Sequence, residues 1–202
     1  VAAVSEDAIP GLIESFRSGL AQNDAVLISD YAKGLLAPPF LATMLAEAAE
    51  AGKPTFIDPK GMRVERYAGA KYLKPNRLEV GILAGQSVRS HGETLAAGRQ
   101  LRARLPGTNL LVTEAADGMT YFGENGDEFH VQSETREVFD ITGAGDTVMA
   151  AFGLAIAAGA HPREAMEIAS VAAAISISIL GCATVTVDQI RSAWPTAGVA
   201  SS

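Results

Sequence analysis

The chain of 202 residues has one cysteine, Cys182, and three histidines, His91, His130 and His161. A single thiol cannot form an internal disulfide, which fits a reducing compartment, and Cys182 reads as a small core residue. The histidines are scattered, with no spacing that sets two on one helix face, so they read as surface residues and not as zinc or iron ligands. Positive charge is also scarce: 16 Lys and Arg stand against 23 Asp and Glu, for a net charge of −7 and a pI near 5.0. A nucleic acid or an acidic membrane surface would call for a basic patch, so neither is expected as a partner. Long apolar runs are missing too. The longest, Val171 to Leu180, is broken by Ser176 and Ser178 and is too short to cross a bilayer. With no visible signal segment, a cytoplasmic protein is expected. The 48% hydrophobic content is enough for a sizeable core at a length that suits one domain.

What the chain does contain is an alternation of helical and strand patterns. Ile9, Leu12, Ile13, Phe16 and Leu20 recur at helical spacing, and Ala25 to Ser29 reads as a buried strand. A helix from about Pro39 to Ala51 precedes the strand Pro54 to Asp58. A short strand around Lys71 to Leu73 leads to helices near Asn76 to Leu83 and Glu93 to Leu105, followed by the strand Asn109 to Thr113. Strand, helix, strand predicts a parallel sheet. Then Met119 to Phe122 and Glu128 to Gln132, separated by a turn containing Asn125 and Gly126, predict an antiparallel hairpin at one side of that sheet. Two apolar helices, roughly Gly143 to Gly159 and Pro162 to Leu180, follow, with a short stretch from Ala183 to Val187 after them.

Chemistry is expected at the carboxyl ends of the parallel strands. Four polar sets lie there: Asp30 to Gly34, Asp58 to Gly61, Lys74 to Glu79, and Thr113 and Glu114 with Asp117 and Gly118. Each alone is ordinary turn chemistry. The fifth set, Asp-Ile-Thr-Gly-Ala-Gly-Asp from Asp140 to Asp146, runs straight into an apolar helix. Gly143 and Gly145 can take backbone angles closed to other residues, so N–H groups can converge where the helix dipole also favours an anion. Asp146, in the first turn, is a poor neighbour for a resting phosphate but a good proton acceptor for an alcohol attacking one. Its position also suits a plain helix cap.

These residues carry a family resemblance. Asp140 to Asp146 resembles the C-terminal signature of the ribokinase-like (PfkB) carbohydrate kinases, and Asn76-Arg-Leu-Glu79 resembles their Asn-x-x-Glu motif. Ser29 to Gly34, Asp58 to Gly61, Lys74 to Asn76, Leu111 to Glu114 with Gly118 and Met119, and Arg136 to Thr147 are similar to the heptose 7-phosphate kinase branch, which includes the kinase half of a bifunctional heptose enzyme. The resemblance covers about Ala25 to Val187. It implies an α/β, three-layer ribokinase-like sandwich with a mostly parallel central sheet, ATP and Mg2+ as cofactors, and a sugar phosphate as the second substrate, in ADP-heptose and lipopolysaccharide core synthesis. It assigns Asp146 as base, with Gly143, Ala144 and Gly145 around the transferring phosphoryl group. Asn76, Glu79, Thr113, Asp117, Gly118 and Thr142 fall on the nucleotide side, and Glu79 and Asn76 arrange magnesium, through water. Asp30, Lys33 and Lys60 are the candidates for the sugar phosphate. The apolar helix from Ala165 to Leu180 is expected to wall the adenine.

The chain begins at Val1 and its opening helix enters partway through the family's architecture. Residues 1–202 are therefore expected to form the C-terminal, nucleotide-binding portion of one kinase domain. The first strands, the lid and the homodimer contact would belong to a preceding segment. A kinase for another sugar or nucleoside, and a binding protein without catalysis, are the alternatives.

Overall fold

Six strands form one sheet in the order β1 to β6, and the computed structural model describes residues 4–133, 143–179 and 184–194. The strands are β1 (Val26–Ser29), β2 (Thr55–Asp58), β3 (Tyr72–Leu73), β4 (Asn109–Thr113), β5 (Met119–Phe122) and β6 (Glu128–Val131). β1 to β4 run parallel, and β5 and β6 are antiparallel, as the hairpin pattern predicts. The helices are α1 (Ile9–Leu20), α2 (Pro38–Glu50), α3 (Arg77–Ala84), α4 (His91–Arg104), α5 (Ala144–Ala157), α6 (Pro162–Ile177) and α7 (Val187–Ala193). No helix among the described residues is long and apolar enough to cross a membrane.

Alternate strand residues feed two cores. Ile57, Leu73, Leu110 and Val112 face α2, α3 and α4, against Leu41, Leu45, Val80, Leu83 and Leu101. Phe56, Tyr72 and Leu111 face the other way, against Phe152 of α5 and Met166 of α6. With both faces covered, the central strands show no polar alternation, which is why they read as continuous apolar runs. Phe56 and Tyr72 stack with centroids 4.7 Å apart, and Phe152 meets both edge-on at 6.0 and 5.4 Å. This triad ties α5, and the glycine turn that starts it, to the middle of the sheet.

One feature departed from expectation. The stretch after α6 continues into α7, started by a capping box in which Thr186 accepts from the Gln189 N–H and Gln189 reaches back to the Thr186 N–H. That Thr-x-x-Gln spacing is the signal the periodicity reading passed over. Cys182 lies outside the described residues.

Helix α4 packs closely enough that one hydrogen matters. A Cβ on Gly98 would lie 2.3 Å from Cζ of the buried Phe122 ring. Gly98→Ala is therefore expected to destabilise the fold by about 1–3 kcal/mol through overpacking. Gly19→Ala in α1, where a Cβ meets nothing within 4 Å, should instead stabilise by about 0.5–1 kcal/mol. Urea unfolding midpoints of the two variants should move in opposite directions. A shared direction would show that helix propensity, not the Phe122 contact, controls position 98.

Candidate functional site

The loops that leave β2, β3 and β4 meet the start of α5 around a cavity of about 800 Å³. Asp58 ends β2, Lys74 follows β3, and Thr113 ends β4, so three neighbouring strands deliver polar side chains to one edge. A bridge between Asn76 and Thr113 carries the pairing of β3 and β4 one step further, and this brings the start of α3 to the same rim. Ser170, Ala173 and Ile177 of α6 also line the cavity.

At the floor, the Lys74 ammonium lies 3.0 Å from Asp58 Oδ2, with the lysine side chain only 7% exposed. Burial pushes the Asp58 carboxyl above its usual range; Lys74 opposes that shift, while the charges of Glu79 and Asp146 add to it. The carboxylates of Asp58, Glu79 and Asp146 are thus close enough to feel one another. A further cation placed among them would relieve this repulsion.

The glycine turn is built differently from the expectation at one of its two glycines. Gly143 is left-handed, φ +81°, and is the N-cap of α5, a geometry that favours glycine. Gly145 is already inside the helix and needs no unusual angle. Its value is proximity: a Cβ there would sit 3.5 Å from the Lys74 ammonium, so the bare backbone keeps the approach to that cation open. The first α5 bond recorded from the turn is Thr147 N–H to the Gly143 carbonyl at 2.9 Å. The N–H groups of Ala144, Gly145 and Asp146 precede the helical ladder and have no partner within it. A helix start above a buried lysine is an anion site with two independent sources of positive potential.

Asn76 and Glu79 start a helix and also line the cavity. Asn76 Oδ1 accepts from the Glu79 N–H at 2.9 Å, and Glu79 Oε2 accepts from the Asn76 N–H at 3.0 Å, a capping box that begins α3. The remaining Glu79 oxygen takes the Lys60 ammonium at 3.0 Å, and this contact raises the lysine's pKa. Asn76, Glu79 and Lys60 all line the cavity, with Thr113, Gly118, Ala144 and Gly145.

Other candidates lie elsewhere. Asp30 is buried, with Oδ1 accepting from the Ala32 N–H and Oδ2 from the Tyr67 hydroxyl, both at 2.7 Å, and Arg66 at 3.5 Å. These bonds hold the loop after β1, and Asp30 is not among the residues that line the cavity. Lys33 is exposed and is not among the cavity residues. Asp117 is exposed and binds Arg77 at 2.6 Å, so it reaches the cavity only through that arginine. Asp146 is exposed on the first turn of α5, outside the cavity lining. Thr142 lies outside the described residues. Lys74 and Arg77 were missed as site residues. Lys-Pro looks like turn chemistry, and nothing in one sequence says that the lysine is buried.

Two of the three histidines, which looked scattered in the sequence, meet in the structure. His91, the first residue of α4, and His130 in β6 converge on Glu114, which follows β4; their rings lie 4.6 Å apart. Thr120 donates to Glu114 Oε1 at 2.6 Å, and Arg77 to Oε2 at 3.0 Å. Burial would raise the Glu114 carboxyl, but the bonds from Thr120, Arg77 and His91 outweigh it and hold the group below its usual range.

A cleft at the carboxyl ends of parallel strands, with buried positive charge beneath a helix start, defines an α/β domain of the kind that binds phosphorylated ligands. The profile of the pfkB family carbohydrate kinases matches residues 4–189, and the chain belongs to that family. It is 41% identical over 192 residues to the bifunctional protein HldE of Mesorhizobium japonicum, covering 93% of this chain and 38% of that protein. The structure of Arabidopsis thaliana ribokinase complexed with ribose and ATP superposes with a TM-score of 0.72 at 22% identity, over 89% of this chain and 55% of that one. Escherichia coli phosphofructokinase-2 in complex with potassium does so at 0.79 and 18%, over 95% and 62%. The fold is therefore ribokinase-like, and the chain spans about two-fifths of the length of the curated relatives it matches.

Proposed function

We propose that this chain is the nucleotide-side portion of a heptose 7-phosphate kinase, which transfers the γ-phosphoryl group of ATP to the anomeric hydroxyl and forms heptose 1,7-bisphosphate. The observation that carries the sugar assignment is the 41% identity to an HldE protein across 93% of the chain. The observation that supports phosphoryl transfer is the α5 start above Lys74.

In this reading ATP lies in the 800 Å³ cavity, its base against the α6 wall and its phosphates toward Lys74 and the Ala144 to Asp146 N–H groups. Those N–H groups stabilise the charge that grows on the transferring phosphoryl oxygens. Asp146, exposed on the first turn of α5 next to the cavity-lining Ala144 and Gly145, takes the proton of the acceptor hydroxyl in this reading. The residues present fit magnesium: it prefers oxygen donors and keeps waters, and Asp58, Glu79 and Asn76 place such donors on one rim. Both Glu79 oxygens are already engaged, by Lys60 and by the Asn76 N–H, which favours a hold through water. When bound, magnesium neutralises phosphate charge.

The test is ADP release by the full-length gene product with ATP, magnesium and a panel of heptose 7-phosphate, fructose 6-phosphate, ribose and adenosine. Activity confined to heptose 7-phosphate is expected. Activity with a different member would keep the kinase and remove the heptose; ATP binding with no turnover on any sugar would leave a binding protein.

A further inference from the structure

We infer that His91, Glu114 and His130 form a site for a transition-metal dication, zinc being the best match to its donors, at the rim of the cavity and apart from the proposed phosphoryl-transfer groups. The three residues come from α4, the loop after β4, and β6, and their ligand atoms all lie within 4.8 Å of one another. His91 Nδ1 is 3.2 and 3.1 Å from the two Glu114 oxygens, and His130 Nδ1 is 3.7 Å from Oε1. In a tetrahedral site with bonds of about 2.0–2.1 Å, neighbouring donor atoms are about 3.3–3.4 Å apart. Each histidine nitrogen thus already stands close to one coordination edge from a Glu114 oxygen. Two imidazoles and a carboxylate suit zinc and its neighbours, whereas magnesium prefers oxygen alone.

The surroundings match what a metal ligand needs. The Glu114 side chain is 0% exposed and its orientation is held by Thr120 and Arg77, the outer partners that aim a carboxylate ligand. The histidine side chains are 42% and 26% exposed, which leaves a path from solvent. Arg77 has a second carboxylate partner in Asp117, so it can shift its weight from Glu114 when a dication arrives.

A metal ion would bind each imidazole through an unprotonated Nδ1, with the ring proton on Nε2. His91 Nδ1 faces both Glu114 oxygens and His130 Nδ1 lies 2.9 Å from Thr120 Oγ1, so any proton held at these nitrogens moves to Nε2 or is released when the dication binds.

The experiment is a titration of the chelator-treated, full-length protein with Co2+ in nucleotide-free buffer, followed by Zn2+. Expected is about one Co2+ per chain with the visible absorption of low-coordinate cobalt, displaced by Zn2+, and lost in both His91→Gln and His130→Gln. Thr120→Val should weaken the affinity by about 10- to 100-fold. Far-UV circular dichroism of the metal-free variants separates loss of the site from loss of the fold; if one histidine variant is unfolded, the other decides. Absence of stoichiometric binding, or binding that persists undiminished in a folded histidine variant, overturns the assignment. Both readouts are independent of kinase activity and of the sugar.

Discussion

Asp146→Asn in the full-length protein is expected to lower turnover by about 10²- to 10⁴-fold, the usual contribution of a positioned general base. Asparagine keeps the size and a hydrogen-bonding oxygen in the first turn of α5 but cannot take a proton. Asp146 is exposed, so no buried partner is lost with its charge. The split between kcat and nucleotide affinity is what distinguishes the two explanations of this residue. If Asp146 is the base, kcat falls and the Kd for ATP, measured by calorimetry, stays within a few-fold. If it serves only to start the helix, α5 loosens, and ATP affinity and thermal stability fall together with the rate. An unchanged kcat would remove Asp146 from the mechanism.

Lys74→Met should have the largest effect on stability of any single change at the site. It removes the cation 3.0 Å from Asp58 and leaves that carboxylate part-buried beside Glu79 and Asp146. Breaking a buried ion pair from one side typically costs about 3–5 kcal/mol, because the remaining charge has lost its partner. The pH dependence follows from the direction of the Asp58 shift. Its folded-state pKa is raised already, and losing Lys74 raises it further. The carboxyl then favours folding only when protonated, so the deficit of the variant should be fully present at neutral pH and shrink as pH falls through the raised pKa. Asp58→Asn combined with Lys74→Met should recover much of the stability without recovering activity. Urea unfolding at pH 5 and pH 7.5 checks this. A deficit under about 1 kcal/mol at neutral pH, or one that grows on acidification, would show that the pair is not coupled as its distance implies.

The order of elements was legible because each carries a local signature. The continuous apolar strands, the Leu41 to Ala48 face of α2 and the turn at Asn125 and Gly126 all state their conformation within a few residues. The Asn76 and Glu79 spacing is equally local: it forms a capping box, and both residues line the cavity. Thr186 and Gln189 carry an equally local signal, and α7 could have been read from it.

The site was legible only in part. Gly143 was foreseen as a left-handed position, but Gly145 proved to matter through what lies across from it. Asp30 looked like a ligand group because it follows a strand, yet Tyr67 and Arg66, more than thirty residues later, occupy its carboxylate. His91 and His130 looked unrelated because they are 39 residues apart in sequence, whereas the pairing of β5 with β4 and β6 brings His130, and the start of α4 brings His91, to Glu114.

By itself, the sequence determined the α/β class, the parallel sheet with its antiparallel margin, the helix starts, and the motif residues that identify the family, since propensity, periodicity and capping act over a few neighbouring residues. Only the tertiary structure decided that Lys74 is buried against Asp58 under the start of α5, that Asp30 is buried against Tyr67, and that two histidines share one glutamate. Desolvation and pairing of charges depend on which segments meet in space, and these meetings are set by sheet order and by packing on both faces of the sheet.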